Sequence, residues 1–153
     1  GIIKDMIACD HSKQAKLNEL VEQLTIIQNE LFDAGAELAT PEDENKKFSY
    51  PYKIKESNIK RLEEDIDRMN EALEPLKNFV LPGGQILNSH LHLARCVARR
   101  AERECWRLNA TEPVRDDVLV YINRLSDWLF VSSRHCARVL GVKETIWNQH
   151  RGK

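Results

Sequence analysis

Residues Phe79 to Arg103 read FVLPGGQILNSHLHLARCVARRAER, and the reading of this stretch decides the fold. Pro82-Gly83-Gly84 makes a turn from which one long helix opens. At about 100° per residue, Asn88, His92, Arg95, Arg99, Glu102 and Arg103 share one continuous face of that helix. Leu87, Leu91, Ala94, Ala98, Ala101 and Cys105 lie on the face behind it. Apolar on one side and guanidinium-rich on the other, such a helix can hold a polyanion against a rigid surface. It can equally turn a charged face to solvent or to another subunit.

The flanking sequence is helical as well. From about Ser12 to Ala39, Leu17, Leu20, Val21, Leu24, Ile27, Leu31, Ala34 and Leu38 recur at helical spacing, and Thr40-Pro41 stops the run. Pro41 to Lys55 reads as a polar connection in which Tyr50-Pro51-Tyr52 alone packs on the body. Ser57 is the expected N-cap of a second helix, with Ile59, Leu62, Ile66, Met69 and Leu73 inside and a stop near Pro75. The arginine-bearing helix runs to about Leu108. Thr111-Glu112-Pro113 then opens a fourth, with Thr111 as cap and Pro113 in the first turn. That helix keeps Val118, Ile122, Leu125, Leu129 and Cys136 inside and ends near Gly141. Nothing reads as a strand. The expectation is an all-α, up-and-down bundle of four antiparallel helices, one domain over residues 1–153.

Composition narrows the function classes. The 153 residues are 42% hydrophobic and 31% charged, as in a globular helical protein. A net charge of −1 argues against a general nucleic-acid binder, which carries a broad basic surplus. No apolar run approaches the ~20 residues of a membrane span, and no signal-peptide pattern is present. Cys9, Cys96, Cys105 and Cys136 form no Cys-x-x-Cys pair, which points to buried reduced thiols in a cytosol-like compartment, not to zinc or disulfides.

Arg95 and Arg99 stand one turn apart, with Glu102 near both and Arg103 one turn beyond Arg99. A carboxylate at that spacing can lock guanidinium planes and leave their outer donors for a ligand. Each charge-assisted bond to phosphate contributes about 1.5–3 kcal/mol net, so two or three arginines suffice for a triphosphate. Other candidates are weaker. His92 reads as a hydrogen-bonded structural histidine. His90 and His92, two apart, point to different sides and make no metal pair. Asp116-Asp117 complements a helix dipole. Trp106, Trp128 and Trp147 read as core or subunit contacts, and Arg124 with Asp127 as a structural ion pair.

Taken together, several stretches resemble the ATP:cob(I)alamin adenosyltransferases of the PduO type. These are Phe79-Val80-Leu81-Pro82-Gly83-Gly84, Leu91-His92-Leu93-Ala94-Arg95 and Arg99-Arg100-Ala101-Glu102-Arg103. Tyr121-Ile122-Asn123-Arg124-Leu125-Ser126-Asp127-Trp128-Leu129-Phe130, the run from Ile27 to Ala39, and Leu62-Glu63-Glu64-Asp65-Ile66-Asp67 are similar to further family patterns. The resemblance implies a trimer of bundles, of five helices each in the complete fold, with ATP at subunit interfaces. It implies transfer of the 5′-deoxyadenosyl group of ATP to the cobalt of cob(I)alamin, with release of triphosphate. Arg95 and Arg99 would then contact ATP and act in catalysis, with Glu102, Arg103, Asn123 and Lys4 also in the ATP site. Phe79 would sit at the lower face of the corrinoid, or else be ordinary core leading into the turn. Mg2+ would accompany the triphosphate, its ligands unassigned, and a flavoprotein or other reductase would supply Co(I). The implied compartment is the cytoplasm, or the mitochondrial matrix in a eukaryote.

The family's Thr/Gly-rich phosphate loop, and most of the helix after it, have no counterpart here. Lys4-Asp5 resembles the family's Lys-Asp stretch and Ile7-Ala8 the tail of that helix. The expectation is a longer protein with further residues around Met6; the competing reading is a shortened relative without activity. Two non-enzymatic alternatives stand beside the enzyme: a corrinoid-carrier or nucleotide-sensing module, and a structural trimer joined by its Arg–Glu face.

Overall fold

The computed structural model describes residues 11–40 and 50–148. Four helices, α1 (His11–Ala39), α2 (Glu56–Glu71), α3 (Ile86–Asn109) and α4 (Asp116–Leu140), carry most of these residues. Lys4 and Cys9 lie outside the described residues. The chain is all-α in class, but the expectation of no strand is corrected. A two-residue strand β1 (Val80–Leu81) pairs antiparallel with β2 (Thr145–Ile146), Val80 opposite Ile146 and Leu81 opposite Thr145. Such short strands carry no sequence periodicity, because alternation needs several residues to declare itself.

α4 is the rod on which the others pack, since α1, α2 and α3 all lie against it. Val118, Tyr121, Ile122, Leu125, Trp128, Leu129 and Cys136 are buried along it, as are Ser132, Ser133 and Ala137. A helix buried around most of its circumference needs small residues where neighbours come close, and its second half supplies them. Gly141 ends it at φ 68°, with the Gly141 N–H donating to the Arg138 carbonyl and the Val142 N–H to the Ala137 carbonyl. This paired closure, a Schellman motif, turns the chain back towards β2.

Several local expectations are corrected. The α2 cap is not Ser57: the helix starts at Glu56, and the Asn58 side chain accepts the Lys55 backbone N–H at 2.8 Å. α4 begins at Asp116, not at Thr111. The Thr111 hydroxyl donates back to the Leu108 carbonyl at 3.1 Å, and Asn109 Oδ1 accepts the Val114 N–H at 2.9 Å, so this turn finishes α3. In the connection before α2, Tyr52 is exposed and Ile54 is the buried anchor, while Tyr50 reaches the Asp33 carboxylate at 3.1 Å. Leu31 is exposed and Cys96 is exposed, against the inner positions expected for both.

Glu30 explains the Leu31 difference. Its carboxylate is buried at the inner position of α1, where it accepts Asn58 Nδ2 at 2.8 Å, an Arg61 guanidinium N–H at 2.5 Å and the Tyr121 hydroxyl at 2.7 Å. The helix is rotated to bring this charge inside, which moves its neighbour Leu31 out. Asp65 makes a second such node, taking Trp128 Nε1 at 3.3 Å and Arg68 at 2.5 Å. At the other end Arg115 donates to Glu37 at 2.5 Å and to the Ile54 carbonyl, tying α1, the α2 approach and α4 together.

Tyr121→Phe keeps the ring and removes one donor from a buried carboxylate. It should lower the unfolding free energy by about 1.5–3 kcal/mol in urea titrations. An unchanged midpoint would mean that Asn58 and Arg61 alone satisfy Glu30.

Candidate functional site

The row on α3 is half inside the protein. Asn88, His92 and Glu102 are buried, Arg95 is half-buried, and Arg99 and Arg103 are exposed. Leu87, Leu91, Ala98 and Cys105 are buried as expected and Ala94 partly so, but Ala101 is exposed. The packed stripe is therefore turned towards the polar row by part of a turn, because α4 covers α3 from that side.

Glu102 organises the site. One oxygen accepts Arg99 NH1 at 2.5 Å and the other accepts Asn123 Nδ2, from α4, at 2.9 Å. Arg103 NH1 donates to the Arg99 carbonyl at 3.1 Å. The carboxylate is only 11% exposed while the Arg99 side chain is 47% exposed, so Arg99 is gripped at one edge and open at the other. Arg95 lies with its guanidinium carbon 5.0 Å from the centre of the Phe130 ring. No described residue accepts a hydrogen bond from Arg95, and its Nε is buried. A half-buried guanidinium seated on an aromatic ring with unused donors is a counter-charge that a phosphate-bearing ligand can use.

Behind Arg95 lies a polar layer that the sequence did not single out. The Ser133 hydroxyl donates to the Phe130 carbonyl at 2.7 Å, so it accepts the His92 Nε2–H at 3.3 Å. Asn88 Nδ2 donates to the Ser133 carbonyl at 2.9 Å. His92 also meets the Phe130 ring edge-on, at 6.2 Å between centres. The structural reading of His92 is thus supported by a partner. Burial first, and the Arg95 charge second, hold its pKa below the ordinary 6.5, against a smaller opposing pull from Glu144. His135, half-buried against α1, is lowered for the same leading reason. The unfolded chain then takes up protons first, so stability present above pH 6.5 is lost as pH falls below it. The unfolding free energy should decrease from about pH 7 to about pH 5.5, and His92→Gln should flatten that slope. An unaltered slope in the variant would assign the effect to His135 and other groups.

Phe79 is 75% exposed, which removes the reading of it as core. Its carbonyl accepts the Trp147 N–H at 2.7 Å, and its ring meets the Trp147 indole edge-to-face at 5.9 Å. Gly84 is held at φ 88° with its Cα hydrogens against Val142, where a side chain would be strained. Phe79 shares no contact with the arginine row among the described residues. Trp147 was legible as an aromatic, but its partner was not, since the pairing joins chain segments far apart in sequence.

Of the remaining candidates, Arg124 pairs with Asp127 at 3.0 Å and with Glu63 at 3.1 Å, as a structural ion pair should. Asp116 and Asp117 sit in the first turn of α4. Trp128 is core, whereas Trp106 is exposed. Among the described residues His90 bonds only the Ile86 carbonyl of its own helix. Among the described residues no three His, Cys, Asp or Glu side chains are grouped to hold a metal, and no helix is long and apolar enough to cross a membrane.

Comparison with known proteins places this geometry. Residues 4–136 match the family model for cobalamin adenosyltransferase. A corrinoid adenosyltransferase of Mycobacterium tuberculosis (strain ATCC 25618 / H37Rv) is 50% identical over 118 residues, 76% of this chain and 61% of the relative. One from Bacillus subtilis (strain 168) is 40% identical over 123 residues, 80% and 61% of the two chains. Among solved structures, a variant PduO-type ATP:corrinoid adenosyltransferase from Lactobacillus reuteri complexed with cobalamin and ATP is similar at a TM-score of 0.77 and 36% identity. That match covers 96% of this chain and 78% of the other. The chain spans about three fifths of the length of the curated relatives it matches. On the strength of that match across nearly the whole sequence, and of a bundle that the solved relatives share, the chain belongs to the cobalamin adenosyltransferase family.

Proposed function

We propose that the protein transfers the 5′-deoxyadenosyl group of ATP to the cobalt of a reduced corrinoid and releases triphosphate. The observation that carries this reading is the Arg95–Arg99 pair. One guanidinium has no acceptor among the described residues, and the other is braced at one edge by a buried Glu102 that Asn123 also holds. Family membership supplies the two substrates, because the similar solved structures are complexes with cobalamin and ATP.

Co(I) is itself a strong nucleophile, so the protein supplies none. A cobalt electron pair attacks C5′ of the ribose, the Co–C bond forms, and the C5′–O bond breaks with its electron pair leaving on triphosphate. The protein aligns the two centres and neutralises charge on the leaving group. Arg95 and Arg99 take the triphosphate oxygens. Glu102 sets the Arg99 plane, Arg103 is buttressed on the Arg99 carbonyl, and the free Oδ1 of Asn123 faces the nucleotide. Lys4, beyond the described residues, completes the ATP contacts by family resemblance. Phe79 supplies an apolar floor that keeps water and the axial base off cobalt, which eases reduction of Co(II) by a flavoprotein or other reductase. Mg2+ would accompany the triphosphate and neutralise part of its charge, with no ligand assigned among the described residues.

A homotrimer with nucleotide between protomers fits the surface. Ile86, Leu93 and Val97 line one face of α3 at 58%, 62% and 47% exposure, apolar area that a second copy would cover. A cytoplasmic or mitochondrial-matrix setting agrees with the exposed free thiol of Cys96.

Anaerobic incubation with ATP, Mg2+ and chemically reduced cobalamin, followed by absorbance as the Co–C bond forms, tests the activity. Turnover is expected. ATP binding by calorimetry without turnover would replace the enzyme by a nucleotide-sensing module. Arg99→Ala should abolish detectable adenosylation with unchanged helicity, and near-normal turnover would remove this arginine from the mechanism. Phe79→Ala should impair use of Co(II) with a reductase far more than use of prepared Co(I). Equal losses in both assays would leave Phe79 with no part in reduction.

A further inference from the structure

Arg134 is a buried cation that the proposed chemistry does not use. It lies on α4 at 8% exposure, one residue past Ser133 and one helical turn beyond Phe130. Its NH2 donates to the Glu74 carbonyl at 3.0 Å. Its Nε donates to one oxygen of Glu144 at 3.4 Å and lies 3.3 Å from the other. Glu74 belongs to the segment that leaves α2 and leads into Phe79 and β1. Glu144 belongs to the segment that leaves α4 and leads into β2 and Trp147. One guanidinium therefore holds the base of both limbs whose tips carry Phe79 and Trp147.

The limbs need such a clamp. β1 and β2 are two residues each, and a ladder that short is not stable by itself in water. Phe79 is 75% exposed, so core packing does not place it either. What remains is the Trp147 N–H to Phe79 carbonyl bond and the ring contact, both of which depend on where the two limbs start. A buried cation removed from its partners leaves a partly buried carboxylate and a carbonyl unsatisfied, so the limbs would splay to reach water.

We infer that Arg134 is a positioning residue for adenosyl transfer: by clamping Glu74 and Glu144 it holds Phe79 in place under the corrinoid. The inference rests on the proposed place of Phe79. Among the described residues no hydrogen bond or ion pair joins Arg134 to Arg95, Arg99, Glu102 or Arg103, so its loss is felt in cobalt reduction far more than in ATP binding.

The test uses full-length protein and compares Arg134→Met, Arg134→Lys, Glu144→Gln, Phe79→Ala and the Arg134→Met/Phe79→Ala double variant. Three quantities are read: rate with Co(II) plus reductase, rate with prepared Co(I), and the absorbance and electron-spin signature of cob(II)alamin that has lost its axial ligand when ATP is present. Arg134→Met should reduce the Co(II) rate by about ten- to a hundredfold more than the Co(I) rate, as a misplaced contact group does. It should diminish the ligand-free signature and leave ATP affinity within twofold. Arg134→Lys should recover part of the loss, and Glu144→Gln should shift the same ratio in the same direction. In the Phe79→Ala background, Arg134→Met should add nothing to the ratio. Should Arg134→Met fail to fold, Glu144→Gln, whose side chain is partly exposed, gives the same reading. Equal losses with both cobalt states in the Arg134 and Glu144 variants, while Phe79→Ala alone shifts the ratio, would overturn the inference and keep the floor. No shift in Phe79→Ala itself would overturn the floor, and the inference with it.

Discussion

Glu30, Asp65 and Glu102 are carboxylates taken out of water, and the bundle is arranged so that each finds donors from more than one helix. A charge moved into a low-dielectric interior costs several kcal/mol unless paired and hydrogen-bonded. Glu30 answers that cost with α2 and α4 together, which sets the rotation of α1. Glu102 answers it with Arg99 from its own helix and Asn123 from α4, which sets the relation of α3 to α4. The same constraint that specifies the helix packing thus prepares a guanidinium for a ligand.

Preorganisation is the physical content of the candidate site. Among the described residues Arg99 has one edge held and the other unpaired, and Arg95 rests on an aromatic face with no acceptor of its own. Neither group must give up a strong protein partner when a polyphosphate arrives, so little protein reorganisation accompanies binding. His92 stays neutral behind them through burial, which keeps a competing positive charge out of the layer that supports Arg95. The side proposed for the corrinoid is built differently. Phe79 stands exposed beside the two-residue pairing of β1 with β2, and its ring meets Trp147 from a distant part of the chain.

The two halves of the site differ accordingly in how far they were legible. The arginine row was visible because helical periodicity places residues three and four apart on one face, a rule that needs no neighbour. The family resemblance, carried by the motifs from Ile27 to Phe130, is met by a family match over residues 4–136. Errors arose where a polar side chain had two possible loyalties. Thr111 and Ser57 looked like caps of the helices to come, yet Thr111 bonds backward and Asn58 does the capping. Leu31 looked internal until Glu30 claimed the position. Of Tyr50-Pro51-Tyr52, expected to pack on the body, Tyr50 reaches Asp33 and Tyr52 is exposed, while Ile54 is the buried anchor.

The sequence by itself determined the helices, their order, the turn chemistry at Gly141, and the face on which the arginines gather, because each of these follows from local geometry and spacing. Only the tertiary structure decided which carboxylates are buried, which edge of each guanidinium is left open, and that Phe79 meets Trp147 across the end of the bundle. Those outcomes depend on contacts between residues tens of positions apart, and desolvation is a property of the packed ensemble of neighbours that no single stretch contains.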